Sequence, residues 1–412
     1  MVILKNNNSE SYIQSISVRF LLILMGFIVF SPFSTFLIMR ILGFSLSLPE
    51  ILLIPFVFLF RKRFHFENIK LLRYAIFFIF WLSLIFISII ADNYSLKEIL
   101  GSSRSYFTLG IAYLLFSKDN NFTLNGVMFV SLGSILGWIF TSFFATFDFL
   151  SGNSSVIAEI GNMLAIPLLI SISVLTKRNK ILLISIVLCI ILSLIAGMRR
   201  QILVFVVSLV LSYGFSLFFS RKKDFLRKMF FLLIFIITFL LLLPLVTKFL
   251  QENNPLLYYR VIEKTQMTFS GSADDAGDGS RIENMQARFK NFEQYIIPRG
   301  FVTRQTLDDK SGGGYIDFPL SELLYTFGIF GATLILIVLI IFIHRCYVRA
   351  NITNNESVIF VIIGIIMFML LFLEGTFLSS SYTTPFTGYC LGRLKYYSNL
   401  SFVIKRKNKI YV

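Results

Sequence analysis

Histidine and cysteine are almost missing from this chain, with two of the first and three of the second among 412 residues. Cys189, Cys346 and Cys390 stand in or beside apolar runs without the paired spacing of a disulfide framework or a metal site, so no metal and no cofactor is expected. His65 and His344 both fall on polar flanks expected to be cytoplasmic, which removes histidine from any chemistry on the outer face. Charge is scarce as well. Charged residues are 15% of the chain, and acidic residues number 22 against 38 basic. A small-residue cleavage pattern is missing after the polar N-terminus, so the first apolar run is expected to stay as a first span. Ten-residue alternating segments are missing too, which excludes barrel strands.

What remains is apolar. The chain is 56% hydrophobic and 16% aromatic with a mean hydropathy of +0.79, and its apolar runs last about 16 to 24 residues. Backbone groups in lipid must be satisfied within the chain, and continuous runs of this length do so as helices. The fold class expected is an all-α polytopic membrane protein, which excludes a soluble globular enzyme. Twelve spans are read, near 20–39, 44–60, 71–91, 99–117, 125–148, 156–175, 181–196, 201–219, 229–250, 319–343, 358–375 and 377–394. They divide the chain into a nine-helix region at 1–250, an outer segment at 251–318, C-terminal helices at 319–394 and a basic tail at 395–412.

Orientation follows from lysine and arginine in the short connections, because basic loops are retained in the cytoplasm. The segments 61–73, 176–180, 220–228 and 393–409 together carry +17, more than the chain's net +16, and all four fall on one side of a twelve-span topology. Both termini are therefore expected in the cytoplasm. The basic balance is then a matter of topology and anionic lipid contact, not of nucleic-acid binding.

Against that pattern, the stretch AGMRRQ at 196–201 places Arg199 and Arg200 on the outer side. Glu50, Arg104, Glu159, Glu322 and Glu374 also fall in the outer halves of spans, and no comparable charge is read in the inner halves. Each such group costs about 2.5–3.5 kcal/mol at a helix centre unless it meets water or a partner. Each alone reads as a side chain snorkelling to the interface. Gathered on one side, they point to an outward polar cavity.

The segment 251–318 is 68 residues long where the other connections are short. Asn254 and Pro255 open an expected helix, followed by the acidic hinge SGSADDAGDGS. DDAGDG lacks the third-position ligand and the closing glutamate of a calcium loop, since Met285 stands there. Ser280 and Glu283 form a capping box for a helix over 281–297, with Ile282, Met285, Phe289, Phe292 and Ile296 as its apolar stripe. Arg281 and Arg288, seven residues apart, share one line beside that stripe at about 100° per residue. The helix reads either as an amphipathic lid on the membrane surface or as one that turns both arginines into the cavity of Arg199.

Planar, permanently charged guanidinium groups grip phosphate bidentately, so converging arginines suit a lipid-linked diphosphate. Here the chain resembles the O-antigen polymerase and ligase family. The resemblance is carried by Gly197-Met198-Arg199 opening a span, by Arg281 heading the outer helix in GSRIENM, and by DFPLSELLYTFGIFGATL after the segment. Gly328 and Gly331 match the family's G-x-x-G, while Met198 replaces a common serine. Asp317 stands eleven residues before Gly328, where the family usually has histidine, and Phe318 stands where it has asparagine.

The resemblance implies a polytopic membrane glycosyltransferase of GT-C-like architecture in a bacterial inner membrane. It would move a growing glycan from undecaprenyl diphosphate to the non-reducing end of another lipid-linked repeat unit. Arg199 and Arg281 would hold the diphosphate with Arg200 and Arg288 in support. Asp317 would activate the acceptor hydroxyl or cap the next helix. A chain-length regulator is the implied protein partner. The missing outer histidine favours polymerase over ligase. A flippase or other transporter stays open as an alternative, although the one-sided charges and unequal halves fit it less well.

Overall fold

The computed structural model describes residues 16–34, 71–92, 96–118, 123–150, 162–196, 199–218, 258–263, 292–301, 320–350, 355–373 and 383–410, with isolated positions at 38, 48–49, 51–52, 55, 244–245, 247–248 and 251–252. Among the described residues every regular element is helical. In chain order these are α1 (Ile16–Val29), α2 (Leu71–Asp92), α3 (Leu96–Phe116), α4 (Leu124–Leu150), α5 (Ala165–Leu175), α6 (Asn179–Ala196), α7 (Arg199–Phe218), α8 (Ser321–Ala350), α9 (Asn355–Leu373) and α10 (Thr384–Ile410). A π-helical turn, Tyr259–Glu263, and a 3₁₀ turn, Phe292–Tyr295, come from the 251–318 segment.

Five stretches are long and apolar enough to cross a membrane: Leu72–Ala91, Leu124–Phe143, Arg200–Phe218, Glu322–Val348 and Glu356–Leu373. They are the expected third, fifth, eighth, tenth and eleventh spans. The other expected spans do not reach that standard, each for a visible reason. α1 has 14 residues and gives way to a bend at Phe30 and Ser31. α5 has 11 residues. α3 carries Lys97, Glu98 and Arg104, and α10 runs on through the basic tail that was expected to start at 395. The spans at 44–60 and 229–250 lie almost wholly outside the described residues.

Two close crossings frame the bundle, and both are made by glycines four residues apart. On α4, a side chain at Gly133 would strike the backbone of Ile23, and a Cβ at Gly137 would come within 2.7 Å of the Phe27 carbonyl. On α10, Gly388 faces the Leu109 carbonyl, and a Cβ at Gly392 would lie 2.8 Å from that of Tyr113. In each pair the contacts advance together along both chains, so α1 runs parallel to α4 and α3 parallel to α10. Small residues let backbones approach closely where lipid supplies no hydrophobic drive to association. By contrast α2 and α3 are antiparallel, with Phe77 and Trp81 both packed on Phe107 and the Trp81 indole donating to the Ser103 carbonyl at 3.2 Å.

The main core runs through α3, α4, α5, α9 and α10, with Trp138, Ile135, Met128, Ile166, Leu168 and Phe360 all fully enclosed. The outward faces of α2 and α8 stay apolar and exposed, as at Phe86 and Phe330. That is the pattern of helices meeting lipid.

Candidate functional site at the loop end

The helices have two ends of different character. One, the loop end, gathers Leu84 and Ser88 of α2, Ile99 and Tyr106 of α3 and the first turns of α8 around residues 295–301. The other, the tail end, joins Lys118, Cys346, Glu356 and Arg393.

At the loop end, Leu320 adopts a left-handed φ of 59° and donates its N–H to the Leu371 carbonyl at 3.2 Å, pinning the start of α8 to the end of α9. Glu322 follows in the first turn, where the helix dipole favours a carboxylate. It is only 6% exposed. The Tyr106 hydroxyl donates to its Oε1 at 2.5 Å and lies 3.4 Å from the Thr326 hydroxyl. A buried carboxylate is held in this way by a phenol 216 residues away in sequence.

The end of the 251–318 segment closes over this pair. Over 292–297, where the sequence predicts the last turns of an α-helix with Ile296 on its apolar stripe, the chain instead forms a 3₁₀ turn ending on the fully buried Tyr295, and Ile296 and Ile297 are exposed. Arg299 then donates its N–H to the Tyr325 carbonyl at 2.9 Å, and Phe301 donates to the Ser88 hydroxyl at 2.6 Å. The Phe301 ring packs on Tyr106 with centroids 5.0 Å apart. Two glycines make the docking possible. Gly300, at φ 79°, leaves no room for a Cβ against the Leu84 carbonyl. Gly328, at φ 68°, breaks α8 and would place a Cβ 2.9 Å from the Ile296 carbonyl. The glycine singled out by resemblance is thus the joint that receives the Pro298 turn.

The site residues expected from sequence are placed unevenly. Arg199 opens α7, with its side chain outside the described residues. Arg200 is half-buried beside it, and Gln201 is fully buried. Arg281, Arg288 and Asp317 lie outside the described residues, as do Glu50, Glu159 and Glu374. Of the remaining outer charges, Glu322 is brought into the cluster with Tyr106, and Arg104 is half-buried on the same helix as Tyr106. Sequence reasoning missed Tyr106, Thr326, Ser88 and Phe301, because their pairing depends on which distant helices meet.

At the tail end Arg393, counted among the basic residues of 393–409, is only 6% exposed. Its Nη2 donates to the Tyr397 hydroxyl at 3.0 Å, and its guanidinium lies over the Tyr396 and Tyr397 rings at 4.5 and 4.9 Å. Tyr397 in turn donates to Glu356. Tyr397 lies past the end of the last apolar run. Burial, opposed by Arg393 and reinforced by Glu356, holds its phenol well above the ordinary value, so it stays a donor. The spacing of Arg393 and Tyr397, one helical turn, was a readable signal.

No protein-family model matches the chain, and no curated protein matches it. The functional reading therefore rests on the residues.

Proposed function

We propose that the chain is a membrane glycosyltransferase of the polymerase type, joining lipid-linked oligosaccharide repeat units of the O-antigen or capsule kind. The observation that carries this reading is the loop-end cluster: a buried carboxylate, Glu322, held by Tyr106 beneath a docked segment of the long loop. With α7 opening on Arg199 and Arg200, it supplies the two things such a transfer needs, a cationic grip and a proton acceptor.

In this reading the chain is a multi-pass protein of about twelve spans and GT-C-like architecture. It lies in a bacterial inner membrane with both termini cytoplasmic and the loop end facing outward. Arg199 and Arg281 hold the diphosphate of the undecaprenyl-linked glycan, with Arg200 and Arg288 in support. A hydroxyl at the non-reducing end of a second repeat unit attacks the anomeric carbon. The bond from that carbon to the diphosphate oxygen breaks, and undecaprenyl diphosphate leaves with the electron pair. The hydroxyl proton passes to a carboxylate at the head of α8, Asp317 being the first candidate and Glu322 the second. Guanidinium forks neutralise the charge developing on the leaving group, and one preorganised donor of this type is worth about 10² to 10³ in rate.

The test is the glycan phenotype of a deletion strain. Polymerase loss leaves a single repeat unit on the final acceptor, and the wild-type chain restores the long polymer. A strain with no repeat unit on its acceptor would reassign the chain as ligase or flippase.

A further inference from the structure

α4 has a second face, opposite its glycines. Met128, Ser131, Ile135 and Trp138 follow one another at helical spacing, and none is more than 1% exposed. Ser173 of α5 donates to the Met128 sulfur at 3.8 Å, so this face is turned toward α5. On it the Ser131 hydroxyl and the Trp138 indole N–H have no hydrogen-bond partner. Asn162, three residues before α5, is 0% exposed, and neither its amide oxygen nor its amide nitrogen has a partner. Buried polar groups in folded proteins nearly always find a partner, so four orphaned atoms on three residues require an explanation.

Helix register brings these residues to one level. The Ser173–Met128 contact joins the start of α4 to the end of α5, so the two run antiparallel, and counting back residue for residue sets Asn162 opposite Ile139, beside Trp138. α5, α6 and α7 are serial hairpins in mutual contact, so α7 is parallel to α5. The Ser171–Ser212 hydrogen bond at 2.9 Å sets their offset, which puts Asn162 opposite Leu203 and within about one turn of the fully buried Gln201. Trp138, Asn162 and Gln201 therefore fall within about one helical turn of one another in the loop-end half, just below the Arg199 and Arg200 pair.

The group is neutral. It offers an indole donor, amide donors, amide acceptors and an aromatic ring, with no charge to hold a phosphate. Its complement is a molecule that donates and accepts hydrogen bonds from adjacent positions, which is the pattern of sugar hydroxyls. We infer that Trp138, Asn162 and Gln201 form a saccharide-recognising subsite below the arginines that open α7. The inference deepens the polymerase reading and rests on it: the arginines take the diphosphate, and this level takes a sugar of the repeat unit. Ordered water could satisfy the same atoms and is the rival occupant.

Asn162→Leu and Trp138→Phe separate the two. Each variant is placed in the deletion strain beside the wild-type chain, and each protein is purified in detergent for a melting curve. A subsite predicts polymer reduced at least about tenfold in both. It also predicts a melting temperature for Asn162→Leu at or above the wild type, because leucine removes an orphaned amide at similar volume. Full-length polymer from either variant overturns the subsite. Lost polymer with a lowered melting temperature in both variants also overturns it, in favour of a structural water. If Asn162→Leu does not accumulate, Trp138→Phe decides alone, since it keeps the ring and removes only the donor. Failure of the wild-type chain itself to restore polymer would refute the polymerase reading, and the subsite with it.

Discussion

Gly300→Ala is the sharpest way to ask whether the docked end of the long loop matters. At φ 79° the added methyl group meets a left-handed backbone, a penalty of about 1–2 kcal/mol for a residue with a Cβ. The methyl also lands 2.5 Å from the Leu84 carbonyl, an atom of a packed helix that cannot rotate away. Relief means backing the segment off by close to 1 Å, and the Phe301 bond to Ser88, now 2.6 Å, would then pass the limit of a hydrogen bond. An N–H buried without a partner costs about 1–3 kcal/mol. The two terms together come to about 3 kcal/mol, which lowers the ratio of docked to undocked segment by about two orders of magnitude.

Phe301 leaves Tyr106 when that happens, and Ile85, 7% exposed in the same cluster, is uncovered. The assay is labelling of an Ile85→Cys protein in detergent by a water-soluble maleimide, the three native cysteines being buried. Gly300→Ala in that background should raise labelling strongly and depress polymer formation in cells. Ser88→Ala, which removes the acceptor without the clash, should give a smaller shift in the same direction. Unchanged labelling and normal polymer from Gly300→Ala would show that the segment's seat on α2 neither holds it nor serves the reaction.

Tyr106→Phe removes the hydroxyl that Glu322 accepts from, a charged hydrogen bond worth about 1.5–3 kcal/mol, and is expected to cut polymer without loss of protein; wild-type chain lengths would leave Tyr106 as packing only. Arg199→Lys keeps the charge but not the fork, so polymer should fall sharply at equal abundance, and a fully active lysine variant would mark Arg199 as a snorkelling residue. Asp317→Asn still caps a helix but cannot take a proton. Abolished polymer would make Asp317 the acceptor-activating group, whereas near-normal polymer would pass that role to Glu322.

How much of this was legible beforehand differs by interaction range. The apolar runs at 71–91, 125–148, 201–219, 319–343 and 358–375 return as helices able to cross a membrane, because length and hydropathy are properties of a local window. α10 continues past the expected stop at 394 because helical hydrogen bonds do not end where apolar residues do. Gly328 was visible as a motif position, but its meaning, a break at φ 68° filled by Ile296 and Pro298, depends on a segment about thirty residues upstream. Tyr106 with Glu322 could not be read at all, since no periodicity links residues 216 apart. The G-S-I-L-G of α4 and the G-Y-C-L-G of α10 are legible as close-packing faces, because glycines four residues apart share one side of a helix, but the partner helix of each is not.

The two kinds of glycine explain why the chemistry is expected where it is. Gly388 and Gly392 lock α3 against α10, and Arg393, one residue further, ties α10 through Tyr397 to Glu356 at the head of α9. α3 is therefore held along its tail-end half, and Tyr106 projects from a helix with little freedom to shift. Across from it, three of the four positive-φ positions among the described residues, Gly300, Leu320 and Gly328, cluster around Glu322. Irregular backbone of this kind persists only where its surroundings determine it, and it concentrates where a side chain must be aimed. A rigid phenol facing a carboxylate set by three backbone irregularities keeps its geometry without substrate. For the transfer proposed above, such preorganisation would spare any rearrangement in the transition state.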